Sequence, residues 1–355
     1  MNNLSDFTIH HKKTIREAFK QETVNKGGCV IVVDDDNKAL GIVSDGDFRR
    51  AIWNGVSLEG PIASIMNDKF ISFNEGNYTS DDIKKAFLSK DIMQIPILRE
   101  GFLVDVIFRD DFYENKLNIV KPRLQIPVVI MAGGKGTRLD PFTRVLPKPL
   151  IPIGDKPVIE IIMDKFAEYG VSEFYISVNH KEKMIRAFFE DSHNRYTISY
   201  INEECYLGTA GALKYLEEKI DTPFIVSNCD IIIDADYTRI SDFHRDNNYD
   251  LTLVVSVQHH VIPYGVCKLR NEGELDTMEE KPGYNFLVNT GLYILNPDVL
   301  SFIPPGEQFN MTDLIKKLRD NNRRIGVYPV SEESWTDVGQ WGEYKKAMEK
   351  INCYE

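Results

Sequence analysis

The stretch Val128–Leu150, VVIMAGGKGTRLDPFTRVLPKPL, constrains this chain more than any other. It opens apolar and β-branched, as a buried strand does. It then breaks into Ala132-Gly133-Gly134-Lys135-Gly136-Thr137-Arg138. Three glycines in four positions let the backbone turn tightly and approach a ligand closely. Their N–H groups can face an anion, as in other glycine-rich phosphate cradles. Lys135, Arg138, Arg144 and Lys148 set positive charge around the same turn, and Pro147 and Pro149 stiffen the backbone on both sides of Lys148. A strand, a glycine turn and several cations together predict a polyphosphate site.

The loop fits neither of two common phosphate templates. G-x-x-x-x-G-K-[ST] is absent, and after Gly134 and Gly136 the third position of G-x-G-x-x-G is Leu139. AGGKGTRLDPFT followed by LPKPLIPIGDKP resembles instead the opening of the sugar-nucleotide pyrophosphorylases. That resemblance implies nucleotide binding by Ala132, Gly133, Gly134, Lys135, Gly136, Thr137 and Arg138.

Composition narrows the function classes. A net charge of −12 over 355 residues argues against a nucleic-acid binder, which shows a basic face. The N-terminus MNNLSDFTIHHKK has no apolar signal core, and no apolar run is long enough to span a membrane, so a cytoplasmic protein is expected. Cys29, Cys205, Cys229, Cys267 and Cys353 form no C-x-x-C pair, which fits reduced thiols. Cys229 reads as a small packed residue. The seven histidines show no metal-ligand spacing, and His259-His260 read as the cap of a sheet edge.

Residues 1–118 read as an internal repeat, about 1–66 and 67–118. The first copy has a helix over Thr14–Gln21, strands Cys29–Val33 and Leu40–Val43, and a helix after Ser44-Asp45-Gly46-Asp47-Phe48. The second has a helix over Ser80–Ser89 and strands Gln94–Leu98 and Phe102–Phe108, followed by Arg109-Asp110-Asp111-Phe112. Copies this small must pair to bury a face. GIVSDGDFRRAI resembles the end of a CBS motif, and the half as a whole resembles a tandem CBS pair. By that resemblance, Ser44 and Asp47 would contact the ribose and phosphate of an adenine nucleotide. The second copy departs from the pattern: Asp105 stands at the place of Gly41 and Phe108 at that of Ser44, while Asp111 keeps the acid. Two readings stand, a ligand sensor and a pair that only packs and dimerises.

Residues 119–126 read as a charged linker and 127–355 as a second domain. Pro157–Tyr169 predicts a helix, Phe174–Val178 a strand, Lys181–Glu190 a helix, Thr197–Ile201 a strand, Ala210–Glu218 a helix and Phe224–Ser227 a strand. This alternation predicts an α/β fold, a doubly wound and mainly parallel sheet preceded by the smaller α+β CBS pair. Ligands bind such sheets beyond the carboxyl ends of the strands.

Asp230 follows a predicted strand at that edge. It reads either as a carboxylate for Mg²⁺ on a nucleotide or as a turn residue. The family resemblance pairs it with Asp337 of Trp335-Thr336-Asp337-Val338-Gly339-Gln340 as two metal ligands, although Gln340 stands where Thr is commoner. In Asn202-Glu203-Glu204-Cys205-Tyr206-Leu207-Gly208-Thr209-Ala210, the resemblance places Gly208 and Thr209 beside the nucleotide and Glu203 at the base. A carboxylate only accepts hydrogen bonds, so it suits the N–H donors of guanine. Glu204 competes for that role, as does a reading of both acids as plain loop residues. Resemblance also places Tyr264, Gly265, Glu280, Lys281, Asn289 and Thr290 at the sugar phosphate.

The implied reaction joins GTP and a sugar 1-phosphate and releases pyrophosphate, with Arg138, Lys148, Asp230 and Lys281 as the catalytic set and Mg²⁺ as cofactor. A CBS pair ahead of such a domain resembles the glucosamine-1-phosphate guanylyltransferases of legionaminic acid synthesis, and a homo-oligomer is expected. Mannose 1-phosphate is the alternative sugar. A catalytically silent regulatory chain is the alternative class, although Arg138, Lys148, Asp230 and Asp337 are all present.

Overall fold

The computed structural model describes residues 4–25, 28–89, 92–109, 112, 124, 126–191 and 196–352. The chain divides into two units, Met1–Lys121 and Pro122–Glu355.

The first unit repeats one plan. β1 (Thr8–His10), α1 (Ile15–Asn25), β2 (Cys29–Val33), β3 (Ala39–Ser44) and α2 (Asp45–Trp53) form the first copy. β4 (Phe73–Asn74), α3 (Ser80–Ser89), β5 (Gln94–Arg99) and β6 (Phe102–Phe108) form the second. In each copy a helix links two parallel strands and a hairpin adds a third, antiparallel one. Cys29–Val33 is buried throughout, which explains its unbroken apolar run. The copies meet edgewise through a Lys38–Phe102 bridge, with Ala39 N–H donating to the Gly101 carbonyl at 2.9 Å.

Ser44 is the N-cap of α2. Asp47, three residues on, accepts the Ser44 N–H at 2.9 Å and its hydroxyl at 2.6 Å. The Ser-x-x-Asp pair is thus a helix-capping device in its own right. Asp110, Asp111 and the linker residues 119–123 and 125 lie outside the described residues.

The second unit contains β7 (Val128–Met131), α4 (Val158–Ala167), β8 (Glu173–Val178), α5 (Glu182–Asp191), β9 (Thr197–Asn202), β10 (Phe224–Asn228) and β11 (Ile231–Ile233). Next come α6 (Tyr237–Asp246), β12 (Leu251–Val261), β13 (Gly265–Leu269), β14 (Leu275–Glu280), β15 (Gly283–Leu295), α7 (Met311–Asp320), β16 (Ile325–Ser331), β17 (Trp335–Asp337) and α8 (Trp341–Asn352). Seven strands form the central sheet in the order β9-β8-β7-β10-β15-β12-β16. Only β15 runs against the others, so the sheet is mixed but mainly parallel.

The sheet is covered on both faces. Val128 and Ile130 pack with Ile159, Ile162 and Phe166 of α4 on one side. Val129 and Met131 pack with Leu213, Leu216, Leu314 and Leu318 on the other. Every position of β7 therefore faces a core. The segment expected as a helix over Ala210–Glu218 is a 3-10 helix, Gly211–Leu216. Its start is held from outside, because Ala210 and Gly211 both donate to the Phe309 carbonyl at 3.0 Å.

The carboxyl ends of β7, β8, β9, β10, β12 and β16 share one edge. β10 pairs with β15 only as far as Ser227–Leu292, opposite Val254 of β12. Beyond that point Val255–Val261 continues paired with Gly283–Asn289. β12 stays paired with β16 through Val257, so four residues, Gln258–Val261 against Gly283–Phe286, carry a two-stranded ribbon about 13 Å past the sheet. The β13–β14 hairpin connects its two strands. His259 and His260 pair with Asn285 and Tyr284 along the ribbon and do not cap a sheet edge, which corrects the sequence expectation.

Asp47→Ala removes the cap acceptor of α2, and about 1 kcal/mol of stability is expected to go with it. Urea unfolding of the full chain, with and without AMP, measures this. The loss persists without nucleotide if the role of Asp47 is structural.

Candidate active site

Two aspartates more than a hundred positions apart are joined by a short ladder. β11 pairs antiparallel with β17, with Ile231 opposite Asp337. Val338 N–H donates to the Asp230 carbonyl at 2.8 Å, which closes the corner. Both carboxylates thereby sit just beyond the end of β10. Gly339 N–H donates to Asp337 Oδ1 at 2.7 Å. A Cβ on Gly339 would overlap Asp230 Oδ2 and lie 2.8 Å from Asp337 Oδ1 and 3.0 Å from Lys148 Nζ. Three charged groups therefore converge on the one residue that offers no side chain.

Lys148 is ion-paired with Asp230. Their side chains are only 12% and 8% exposed, so the pair is largely out of water. Pro147 is extended and leads into a 3-10 turn, Lys148–Leu150, which aims the side chain inward. Gly136, at φ +66°, lies against it, since a Cβ there would come within 2.8 Å of Lys148 Cβ and 2.9 Å of Thr143 Cγ2. Burial pushes the Asp337 carboxyl above the usual carboxylate range, and the charge of Asp230 adds to that shift. The Gly339 N–H, Lys148 and Arg138 pull it back. Burial also pushes the Cys229 thiol up to about 12, in keeping with a packed residue.

Of the other loop cations, Arg144 pairs with Asp140 and so does not add free charge to the turn. Lys135, Thr137 and Arg138 are exposed. Gly133 is the loop's second close approach, because a Cβ there would overlap Glu203 Oε1. Glu203 is 6% exposed, and its carboxylate accepts the Leu207 N–H at 3.1 Å. Glu204 is exposed, so Glu203 is the acid that faces the glycine loop. Burial raises the Glu203 pKa, opposed by hydrogen bonds from Leu207 and Ser177.

Gly208 and Thr209 are held by a segment that sequence reasoning missed. Gly208 has φ +80°, and a Cβ would stand 2.6 Å from the Phe309 carbonyl oxygen and 2.7 Å from Asn310 Oδ1. The Thr209 hydroxyl accepts the Met311 N–H at 2.9 Å, at the start of α7. Asn310-x-x-Asp313 is a legible capping signal for that helix, but nothing in it announces the contact with Thr209.

The remaining sugar-phosphate residues form a second group. Gly265 pairs with Glu280, and Lys281 N–H donates to the Tyr264 carbonyl at 3.3 Å. Lys281 adopts a left-handed φ of 48°, a sharp exit from β14. Asn289 and Thr290 lie where the ribbon joins the sheet, at the irregularity between Val254 and Val255. The Thr290 hydroxyl donates to the Val254 carbonyl at 2.8 Å and accepts the Leu292 N–H at 3.3 Å. Asn289 Nδ2 donates to the Tyr293 hydroxyl at 2.6 Å. Among the described residues no hydrogen bond or ion pair joins Glu280 or Lys281 to Asp230, Asp337 or Lys148. A histidine cluster also appears that spacing did not reveal: ligand atoms of His10, His11 and Asp35 lie within 4.8 Å of one another. Lys12 already holds Asp35 there at 2.8 and 3.1 Å.

Residues 127–353 match the nucleotidyl transferase family model, and residues 4–54 match the CBS domain model. The chain belongs to the nucleotidyl transferase family. It is 32% identical over 63% of its length to a UTP–glucose-1-phosphate uridylyltransferase of Synechocystis. It is 35% identical over 60% of its length to a mannose-1-phosphate guanyltransferase of Yarrowia lipolytica. The chain spans about three fifths of the length of these curated relatives, 62% and 60%. HddC from Yersinia pseudotuberculosis, also solved complexed with GMP-PN, aligns over 64% of this chain and all of its own. That match has a TM-score of 0.51 at 26% identity. Among the described residues no helix is long and apolar enough to cross a membrane.

Two outcomes test this geometry. A buried acid with a raised pKa stabilises the fold at low pH and costs stability once it ionises. Glu203→Gln should therefore be more stable than the parent at pH 7, with the gain fading as pH falls below the carboxylate range. Thermal melting against pH reads this. Gly339→Ala should force Asp230 and Asp337 apart and lower the affinity for Mn²⁺ in the presence of GTP at least tenfold, as titration calorimetry would show.

Proposed function

We propose that the chain is a sugar-1-phosphate guanylyltransferase, joining GTP and a sugar 1-phosphate into a GDP-sugar. The observation that carries this reading is the meeting of Lys148, Asp230 and Asp337 over Gly339, beside the glycine loop. In the reaction an oxygen of the sugar 1-phosphate attacks the α-phosphorus in line. The bond from the α-phosphorus to the bridging oxygen breaks, and pyrophosphate leaves with the electron pair. No protein nucleophile and no proton transfer are required, so positioning and charge neutralisation carry the catalysis.

The glycine-loop amides and Arg138 hold the leaving phosphates. Lys148 bridges the reacting ones, Lys281 pairs with the 1-phosphate of the sugar, and Glu280 and Tyr264 contact the sugar itself. The pair Asp230 and Asp337 suits a hard divalent cation such as Mg²⁺, with two carboxylate donors on a rigid corner and room left for phosphate oxygens. When bound, Mg²⁺ supplies charge neutralisation on the phosphates.

Glu203 supports guanine over uracil, because a buried acceptor demands a donor opposite it. For the sugar we favour glucosamine 1-phosphate, in the formation of a nonulosonic acid such as legionaminic acid. Mannose 1-phosphate is the second reading, supported by the named activity of the Yarrowia relative. An adenine nucleotide at Ser44 and Asp47 of the CBS unit and a homo-oligomeric assembly complete the proposal.

Pyrophosphate release from GTP, UTP, dTTP and ATP, each with a panel of sugar 1-phosphates, tests the whole reading. GTP with glucosamine 1-phosphate should give the highest kcat/KM. Asp230→Asn should lower it about 100-fold or more. Glu203→Gln should narrow the GTP-to-UTP ratio at least tenfold. Turnover with no pair at all would mark a silent regulatory chain. Preference for UTP would overturn the role of Glu203.

A further inference from the structure

Lys148 and Asp230 are bound to each other, although each is assigned above to a different task. Asp337, half-buried, completes the corner, so two carboxylates converge on Gly339 beside a pair largely closed to water. Two such acids repel unless a cation lies between them. In the protein alone the Lys148 ammonium is that cation. Its backbone is stiffened by Pro147 and Pro149, and its aliphatic stem lies along Gly136. The ammonium is thus tethered between the aspartates and the mouth of the glycine loop. Within that reach it has two alternative partners, Asp230 or a phosphate held by the loop.

We propose that Lys148 is an internal placeholder for the metal, and that the protein is built to take a metal–nucleotide complex rather than a bare cation. The inference rests on Asp230 and Asp337 being the metal ligands. A divalent ion arriving alone must expel the ammonium from Asp230 and leave it unpaired in a poorly solvated site, which is costly. Nucleotide removes that cost by offering phosphate oxygens to the same ammonium. Metal and nucleotide therefore bind with positive coupling, and the coupling is reciprocal. The same exchange carries Lys148 from its resting partner to the phosphates, so it takes up its bridging position only when both ligands are present.

The experiment measures Mn²⁺ binding by electron paramagnetic resonance on the full chain, without sugar phosphate, so that no turnover occurs. For the parent protein, Mn²⁺ should bind at least tenfold more tightly in the presence of saturating GTP than alone. Lys148→Met should bind bare Mn²⁺ at least tenfold more tightly than the parent and lose most of the coupling to GTP. Lys148→Arg, which keeps the charge, should remain as weak as the parent. If Lys148→Met gains no Mn²⁺ affinity while Asp230→Asn still weakens Mn²⁺ binding with GTP, the placeholder is overturned and the metal ligands stand. If Asp230→Asn leaves Mn²⁺ binding with GTP unchanged, the metal assignment falls and this inference falls with it. Should Lys148→Met fail to fold by circular dichroism, the parent decides alone. Equal Mn²⁺ affinity with and without GTP overturns the proposal.

Discussion

The carboxyl edge depends on the pairing of Ile231–Ile233 with Trp335–Asp337. This ladder is only three residues long on each side, yet it fixes the separation of a buried and a half-buried acid from distant parts of the chain. Backbone hydrogen bonds do that work, closed by Val338 N–H on the Asp230 carbonyl. Side-chain forces alone would drive Asp230 and Asp337 apart. Once the ladder holds them, a nearby cation offsets their repulsion, and Lys148, ion-paired with Asp230, supplies it. Gly339 follows from the same constraint, since any side chain there would occupy the space where the charges meet.

The positions of the other groups follow from one antiparallel strand in a parallel sheet. β15 alone reverses direction, so its amino end and the carboxyl end of β12 leave the sheet together. The ribbon and the β13–β14 hairpin therefore stand beyond the edge where the glycine loop and Asp230 lie. A site built this way has a rigid floor, made of strand ends and packed loops, and a wall carried on a two-stranded arm. Leu275–Glu280 is exposed at every position, so the arm has few packing contacts to fix it. Groups read as neutralising phosphate charge sit on the floor, where strand ends and packed loops hold them most tightly. Groups read as sugar contacts sit on the wall.

How much of this was legible in the sequence depended on the kind of contact. The run Val128–Met131 announced a strand buried on both faces, and the structure places its alternate residues in two separate cores. The glycine loop and Asp230 were legible for the same reason, because each follows a strand with a strong apolar signal. The hold of Phe309 and Asn310 on Gly208, Ala210 and Gly211 was not. It runs through the Phe309 backbone carbonyl and Asn310 Oδ1, about a hundred positions away, and a backbone carbonyl leaves no mark on residue type. The same hold turns the expected helix after Ala210 into a 3-10 segment. β14, reading Leu-Asp-Thr-Met-Glu-Glu, escaped periodicity because neither of its faces is buried. In the first unit the pattern Ser44-x-x-Asp47 was legible, but its use in capping α2 took the hydrogen bonds to establish.

Burial is what would let Glu203, read as the base contact, discriminate. An exposed carboxylate beside a base would cost little to leave unpaired, since water would satisfy it. Here the acid is wedged against Gly133, and it already accepts hydrogen bonds from Leu207 and Ser177. Its charged form is disfavoured by burial, so any remaining acceptor capacity is expensive to leave empty. A partner presenting N–H groups would relieve that cost, and a partner presenting carbonyl oxygens would add repulsion to it. The glycine at position 133 is what makes this arrangement possible, because a side chain there would occupy the place of the carboxylate. The glycine loop and Glu203 are thus one packed unit, and a change in either would move the other.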